Sequence, residues 1–327
     1  MALVDPFGRA LDYLRVSVTD RCNLRCVYCL PAEGLAAAPS REILSEQEIL
    51  RLGRVAMSLG VRKFRITGGE PLVRPGIVEL LRGLSGLGPE DLSLSTNGML
   101  LAGLARDLAR AGLRRINISL DTLRPERFKR ITRHGSLERV LAGIRSALEA
   151  GLSPVKINVV VMRGVNADEI PDFVALARER PLHVRFIELM PIGRTGFFGP
   201  ERWLPLSEIR ALCGALEPLA PGEGPRGCGP ASYFRPPRAL GSVGFIAALS
   251  CNFCRRCNRL RLTAGGRLLP CLASEAGVDL RAPLRSGAQD EELAGLFRQA
   301  VAMKPERHGM EVREQAPREA FMCALGG

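Results

Sequence analysis

Six short runs of β-branched and apolar residues recur through the first two thirds of this chain, each separated from the next by a longer segment of helical period. The runs cover residues 14–18, 63–67, 92–96, 115–119, 155–161 and 183–188. Such alternation predicts parallel strands joined by crossover helices, because parallel neighbours need a connection that returns the length of the sheet. The first connection carries a clear start signal. Ser45 followed by Glu48 forms a capping box, Ile49, Leu52, Ala56 and Leu59 fall on one face, and Gly60 stops the helix. Further helices are predicted over about 102–110, 136–150 and 168–178, with Gly112 and Gly151 as C-terminal stops after two of them. The predicted fold class is therefore α/β, an incomplete parallel (β/α)6 barrel short of the eight units of a closed one.

At 327 residues the chain has room for about two domains and can bury a core without disulfides. Composition shifts to Pro and Gly over 218–237. We place a boundary there, with the barrel in 1–228 and a smaller unit in 229–327. No apolar run is long enough to span a membrane, and no signal peptide precedes the first strand, so a cytoplasmic setting is expected. In a reducing compartment the ten cysteines point to metal or catalysis rather than cross-links. A net charge of +12 implies an anionic partner, although charge alone does not separate nucleic acid from a nucleotide. Only three histidines are present and HExxH, GxxxxGK[ST] and GxSxG are absent, which disfavours the common hydrolase and P-loop chemistries.

Cys22, Cys26 and Cys29 form a C-x₃-C-x₂-C set directly after the first strand. Three thiolates from one loop suit a cubane iron–sulfur cluster with one iron left open. Structural zinc is the alternative, but a closed zinc site takes four ligands and the next cysteine is Cys213. Cys254, Cys257 and Cys271 form a second group around the predicted strand 260–263, with Cys251 as a possible fourth member. Cys213, Cys228 and Cys323 read as ordinary buried or loop thiols. Polar signals collect at the ends of the same strands: Thr67-Gly68-Gly69-Glu70-Pro71, Ser95-Thr96-Asn97-Gly98, Ser119-Leu120-Asp121 and Glu188-Leu189-Met190-Pro191. Parallel barrels gather their active sites at that rim.

The cysteine loop, with Tyr28 before its last cysteine, followed by Gly-Gly-Glu-Pro, resembles the radical S-adenosylmethionine superfamily. There the open iron is chelated by S-adenosylmethionine, and one-electron reduction releases a 5′-deoxyadenosyl radical. The order of FRITGGEPLVR, KINVVV, RFIELMPIG, FCRRCNRLRLT, LPCL and KPERHGM resembles, over nearly the whole chain, the cyclases of molybdenum-cofactor synthesis that act on GTP.

This resemblance implies two [4Fe–4S] clusters, on Cys22, Cys26 and Cys29 and on Cys254, Cys257 and Cys271, the second facing the substrate. It assigns Tyr28, Gly69, Ser119 and Met190 to S-adenosylmethionine, and Arg15, Arg65, Thr96, Lys156, Arg259, Leu260 and Arg261 to GTP, with Lys63 and Arg185 as additions. Arginine suits a triphosphate because its planar fork makes bidentate, charge-assisted bonds to phosphate oxygens. Arg15 and the terminal Gly326 and Gly327 are implied in the catalytic centre. The expected product is (8S)-3′,8-cyclo-7,8-dihydroguanosine 5′-triphosphate, passed to a cyclic pyranopterin monophosphate synthase. A homodimer is also implied, with no membrane or nucleic-acid partner and with an electron donor that the residues do not name. Two rivals remain: a peptide-modifying radical enzyme, whose extension usually has more cysteines, and a basic zinc module binding nucleic acid, which leaves the strand-end motifs unexplained.

Overall fold

Leu14, Val16, Phe64, Ile66, Leu94, Ile116, Ile118, Ile157 and Val184 are almost wholly buried, and together they form the seam between a parallel sheet and its helices. The computed structural model describes residues 2–36, 38–193, 195–220, 222–227, 229–312 and 321–326. Six strands, β1 (Tyr13–Ser17), β2 (Lys63–Thr67), β3 (Asp91–Thr96), β4 (Arg115–Ser119), β5 (Val155–Val161) and β6 (Leu182–Glu188), pair in parallel in chain order. Each lies within a residue of the run predicted for it. They are linked by α1 (Glu46–Ser58), α2 (Ile77–Gly86), α3 (Ala105–Arg110), α4 (Pro125–Thr132), α5 (Leu137–Glu149) and α6 (Ile170–Glu179).

The capping box is present at α1: Ser45 Oγ accepts from the Glu48 amide at 3.2 Å, and Glu48 Oε2 accepts from the Ser45 amide at 2.7 Å. α2 and α4, which were not predicted, begin without a side-chain cap, behind a left-handed Gly76 and at Pro125. The predicted helix over 102–110 is divided: a 3₁₀ turn, Leu101–Gly103, precedes α3.

The C-terminal residues add α7 (Leu206–Leu212), β7 (Glu217–Pro218), β8 (Ser232–Arg235), β9 (Ser242–Ile246), β10 (Arg259–Leu262), β11 (Arg267–Leu269), β12 (Val278–Asp279), α8 (Arg281–Arg285), α9 (Asp290–Ala302) and α10 (Met322–Leu325). These strands continue the sheet of residues 13–188. β9 joins β6 in parallel at one edge and β10 joins β1 in parallel at the other, giving eight parallel strands in the order β10-β1-β2-β3-β4-β5-β6-β9. β11 and β12 extend the first edge antiparallel, and β8 and β7 the second. The eight strands form an incomplete barrel, since β9 and β10 do not pair with each other. Among the described residues no helix is long and apolar enough to cross a membrane.

Candidate active site

Register alone assembles the first part of the site. Arg15 on β1 stands opposite Arg65 on β2 and Arg261 on β10, so three guanidinium groups line up across three adjacent strands. Alternation along the strands sends them to one face, where Arg115, Lys156 and Arg185 of β4, β5 and β6 also lie. All six side chains are buried. Asp91 pairs with Arg115, Nε to Oδ1 at 2.6 Å. Arg185 is held by neutral partners, donating to Asn117 Oδ1 at 2.6 Å and to Asn158 Oδ1 at 2.8 Å. Arg65 Nη2 is buried with no hydrogen-bond partner among the described residues. Burial and mutual repulsion lower Arg15, Arg65, Arg185, Arg261 and Lys156: Arg65 and Arg261 fall to about 10, and Lys156, buried beside Arg185, Arg115 and Arg65, to about 6, whereas pairing with Asp91 outweighs burial and raises Arg115. A cationic chamber of this kind is stabilised by an anion entering it.

The chamber is a cavity lined by Arg15, Arg65, Arg185, Arg259 and Arg261 on one side and by Cys254, Cys257 and Cys271 on another, with Ser119, Met190 and His308 also reaching it. Arg259 lies over the Phe253 ring at 4.8 Å. Burial alone would raise the Cys257 thiol, but Arg259 and Lys304 outweigh it and bring the group down to about 7. Leu260, between the two arginines, is packed into the core. Lys156 Nζ donates to the carbonyls of Pro225 at 3.3 Å and Arg226 at 2.6 Å. Lys63 pairs with Asp12.

The chain terminus enters the same chamber. Gly326 has φ +72, and a Cβ there would stand 3.0 Å from Ser17 Cβ and 3.1 Å from Thr67 Cγ2. Its carbonyl accepts from Arg261 at 2.8 Å and from Arg15 at 3.3 Å. Gly327 lies outside the described residues, as does Cys228.

The first cysteine loop leaves β1 and is clamped by the glycine pair after β2. The Gly69 amide donates to Thr19 O at 2.9 Å and the Glu70 amide to Arg21 O at 2.8 Å. A Cβ on Gly69 would lie 2.4 Å from Arg21 O, and one on Gly68 2.6 Å from Thr19 O. These glycines therefore admit the cysteine loop itself. Glu70, raised to about 7 by burial, accepts from Thr96 Oγ1 at 2.7 Å and from the Asn97 amide at 2.6 Å. Asn97 Nδ2 reaches Cys22 Sγ at 3.9 Å. Tyr28 donates to Asp121 Oδ2 at 2.7 Å, and Asp121, raised to about 6 by burial, also accepts from the Val160 amide.

Burial raises the thiols of Cys26 and Cys29; Cys29 and Cys22 add to the rise at Cys26, and the tail residue Cys323 and Cys22 add to the rise at Cys29. Cys323 is thus a buried neighbour of the first loop, whereas Cys213 is an ordinary core thiol bonded to Ile209 O at 3.3 Å. Among the described residues no three His, Cys, Asp or Glu side chains converge on one point as a single metal ion would require. A cubane takes one thiolate per iron, which the three thiols of one loop, Cys22, Cys26 and Cys29, suit.

Sequence reasoning missed Arg115, Asn117 and Asn158. Their signal was alternation: polar side chains at 115, 117 and 119 of β4 and at 156 and 158 of β5, on the face that carries Lys156.

Residues 16–177 match the Radical SAM superfamily and residues 182–310 match Molybdenum Cofactor Synthesis C. The GTP 3′,8-cyclase of Pelotomaculum thermopropionicum is 53% identical over 308 residues, covering 94% of this chain and 95% of the relative. That of Moorella thermoacetica is 51% identical over 324 residues, covering 99% of each. Streptococcus suis SuiB bound to S-adenosylmethionine shares the fold, with a TM-score of 0.60 and 18% identity over 89% of this chain and 69% of that one. The barrel and its first cysteine loop thus define a radical S-adenosylmethionine enzyme, a class that carries a [4Fe–4S] cluster. Within that class the chain belongs to the GTP 3′,8-cyclase family.

Proposed function

We propose that this chain converts GTP into (8S)-3′,8-cyclo-7,8-dihydroguanosine 5′-triphosphate, the first step of molybdenum-cofactor synthesis. The observation that carries this reading is the in-register row Arg261–Arg15–Arg65, buried beside Cys254, Cys257 and Cys271 in one chamber. A triphosphate brings about four negative charges, matching cations that otherwise repel one another.

Cys22, Cys26 and Cys29 hold the first [4Fe–4S] cluster, with Tyr28, Gly69, Ser119 and Met190 around S-adenosylmethionine. When bound, that pair supplies one-electron reduction and hydrogen-atom abstraction. Cys254, Cys257 and Cys271 hold a second [4Fe–4S] cluster, and the exposed Cys251 stays outside it. Arg15, Arg65, Lys156, Arg259 and Arg261 grip GTP, Leu260 sets the spacing of the last two, and Thr96 borders the site through Glu70. Arg15 and Gly326 close the chamber over the ribose, excluding water and fixing C3′ near C8, and Gly327, outside the described residues, belongs to the same catalytic tail by family resemblance. Carbon–carbon bond formation within one nucleotide needs this orientation, since both reacting atoms already belong to the substrate. The nine described cysteines form no disulfide, which suits a reducing cytoplasm. The product is then rearranged by a cyclic pyranopterin monophosphate synthase.

The test is anaerobic reconstitution with iron and sulfide, followed by dithionite, S-adenosylmethionine and GTP, with products followed by mass spectrometry. A product isomeric with GTP, formed together with 5′-deoxyadenosine, is expected. Cleavage of S-adenosylmethionine with GTP unchanged would remove the substrate assignment.

A further inference from the structure

Lys304 is buried, 3% exposed, just beyond the end of α9, and its ammonium meets no carboxylate among the described residues. Instead Nζ donates to two backbone carbonyls, Arg259 O at 2.8 Å and Pro270 O at 2.6 Å. Arg259 stands two residues after Cys257, and Pro270 stands directly before Cys271. The two carbonyls belong to neighbouring antiparallel strands. The β10–β11 ladder pairs Arg261 with Leu269, so its next rung would be Leu260 with Pro270. The ladder ends at Arg261–Leu269, so the carbonyls of Arg259 and Pro270 lie beyond its last rung. Lys304 supplies a donor where the sheet can no longer provide one, and thereby ties the Cys257 leg to the Cys271 leg.

The third leg is tied to the same segment. Arg9 Nη1 donates to Cys254 O at 2.8 Å and to Glu306 O at 2.8 Å, and Nη2 donates to Pro305 O at 2.6 Å. Asp5 anchors Arg9, accepting from its Nε at 2.5 Å and from its amide at 2.9 Å. The strap at 304–306 thus fastens the backbone beside all three cysteines with two buried cations; Arg9 is neutralised by Asp5, whereas the anionic groups that act on Lys304 are the thiolates of Cys257 and Cys271.

We propose that Lys304 is a positioning residue for the second cluster, holding the Cys257 and Cys271 legs at cubane spacing and placing a fixed positive charge beside it. The inference rests on the reading of Cys254, Cys257 and Cys271 as a cluster site. A nearby cation favours the more negative, reduced state of a cluster and so raises its potential. Two substitutions separate the roles. K304M removes donors and charge, whereas K304Q keeps an N–H donor and removes the charge.

The experiment is anaerobic reconstitution of wild type, K304M, K304Q and C271S, with iron counting, an EPR-monitored redox titration and S-adenosylmethionine affinity as the control on folding. Wild type should hold about eight irons per chain and C271S about four. K304M should lose about four irons, and K304Q should keep about eight with the second cluster's midpoint moved to a more negative potential, both retaining wild-type S-adenosylmethionine affinity. K304M with about eight irons and an unmoved midpoint overturns the proposal. If K304M does not fold, K304Q decides: full iron with an unmoved midpoint overturns it as well. About four irons in wild type and C271S alike would overturn the cluster reading beneath it, an outcome distinct from either.

Discussion

Arg15 and Arg261 lie opposite one another on adjacent parallel strands, and both donate to the carbonyl of Gly326. Residues from the beginning, the last quarter and the end of the chain thus meet at one oxygen. Replacing Arg261 by Ala removes a buried, charge-assisted contact of about 1.5–3 kcal/mol. GTP affinity should fall about ten- to a hundred-fold, with S-adenosylmethionine affinity unchanged. Equilibrium binding of both ligands checks this, and an unaltered GTP Kd would take Arg261 out of the substrate site.

Lys156 gives the binding a pH dependence. Burial holds its folded-state pKa near 6, below the ordinary 10.5, so above neutrality the side chain is neutral without ligand. A polyanion raises that pKa, so GTP binding should take up a proton between about pH 7.5 and 9. Affinity should then rise as pH falls through that range, by at most about tenfold per unit. Calorimetry in buffers of different ionisation enthalpy reads the uptake, which K156M should abolish. Equal uptake in both proteins would assign the proton elsewhere.

The depressed pKa of Lys156 also fixes a sign for stability. Its folded-state pKa lies below the unfolded one, so its contribution is present at high pH and lost as pH falls through about 6. Thermal melts of the ligand-free protein should therefore decline between about pH 10 and 6 more steeply in wild type than in K156M. Parallel profiles would contradict the assignment.

Gly69 tests the clamp on the first cysteine loop. A methyl group there meets Arg21 O at 2.4 Å, a contact that only backbone movement relieves. G69A should cost about 1–3 kcal/mol and release the loop. Iron retention at the first site and S-adenosylmethionine affinity should both drop, while the arginine row keeps its GTP affinity. Normal iron content in G69A would show that the loop tolerates displacement.

Replacing Cys22 by Ala should remove about four irons and abolish reductive cleavage of S-adenosylmethionine. GTP should still bind, since Arg15, Arg65 and Arg261 are fixed by strand register. Loss of GTP binding together with the iron would mean that the first loop builds the substrate chamber.

The chain carried much of this in plain view. Period and capping located the first six strands, the Ser45 capping box and the two cysteine sets, because these depend on neighbours within a few residues. The α2 and α4 helices were not predicted; they are short, ten and eight residues, and carry no side-chain cap. Arg115, Asn117 and Asn158 needed register before their purpose appeared, because a polar residue in a strand reads alike on either face until its neighbours are known.

Local sequence determined which segments are strands, where the thiols stand and which cations interrupt apolar runs. Tertiary structure decided the rest: β9 and β10 dock at opposite edges of the sheet, Arg261 lands beside Arg15, and Gly326 returns between them. The physical reason is that strand pairing and the burial of charge join residues hundreds of positions apart, at distances that only the assembled sheet fixes.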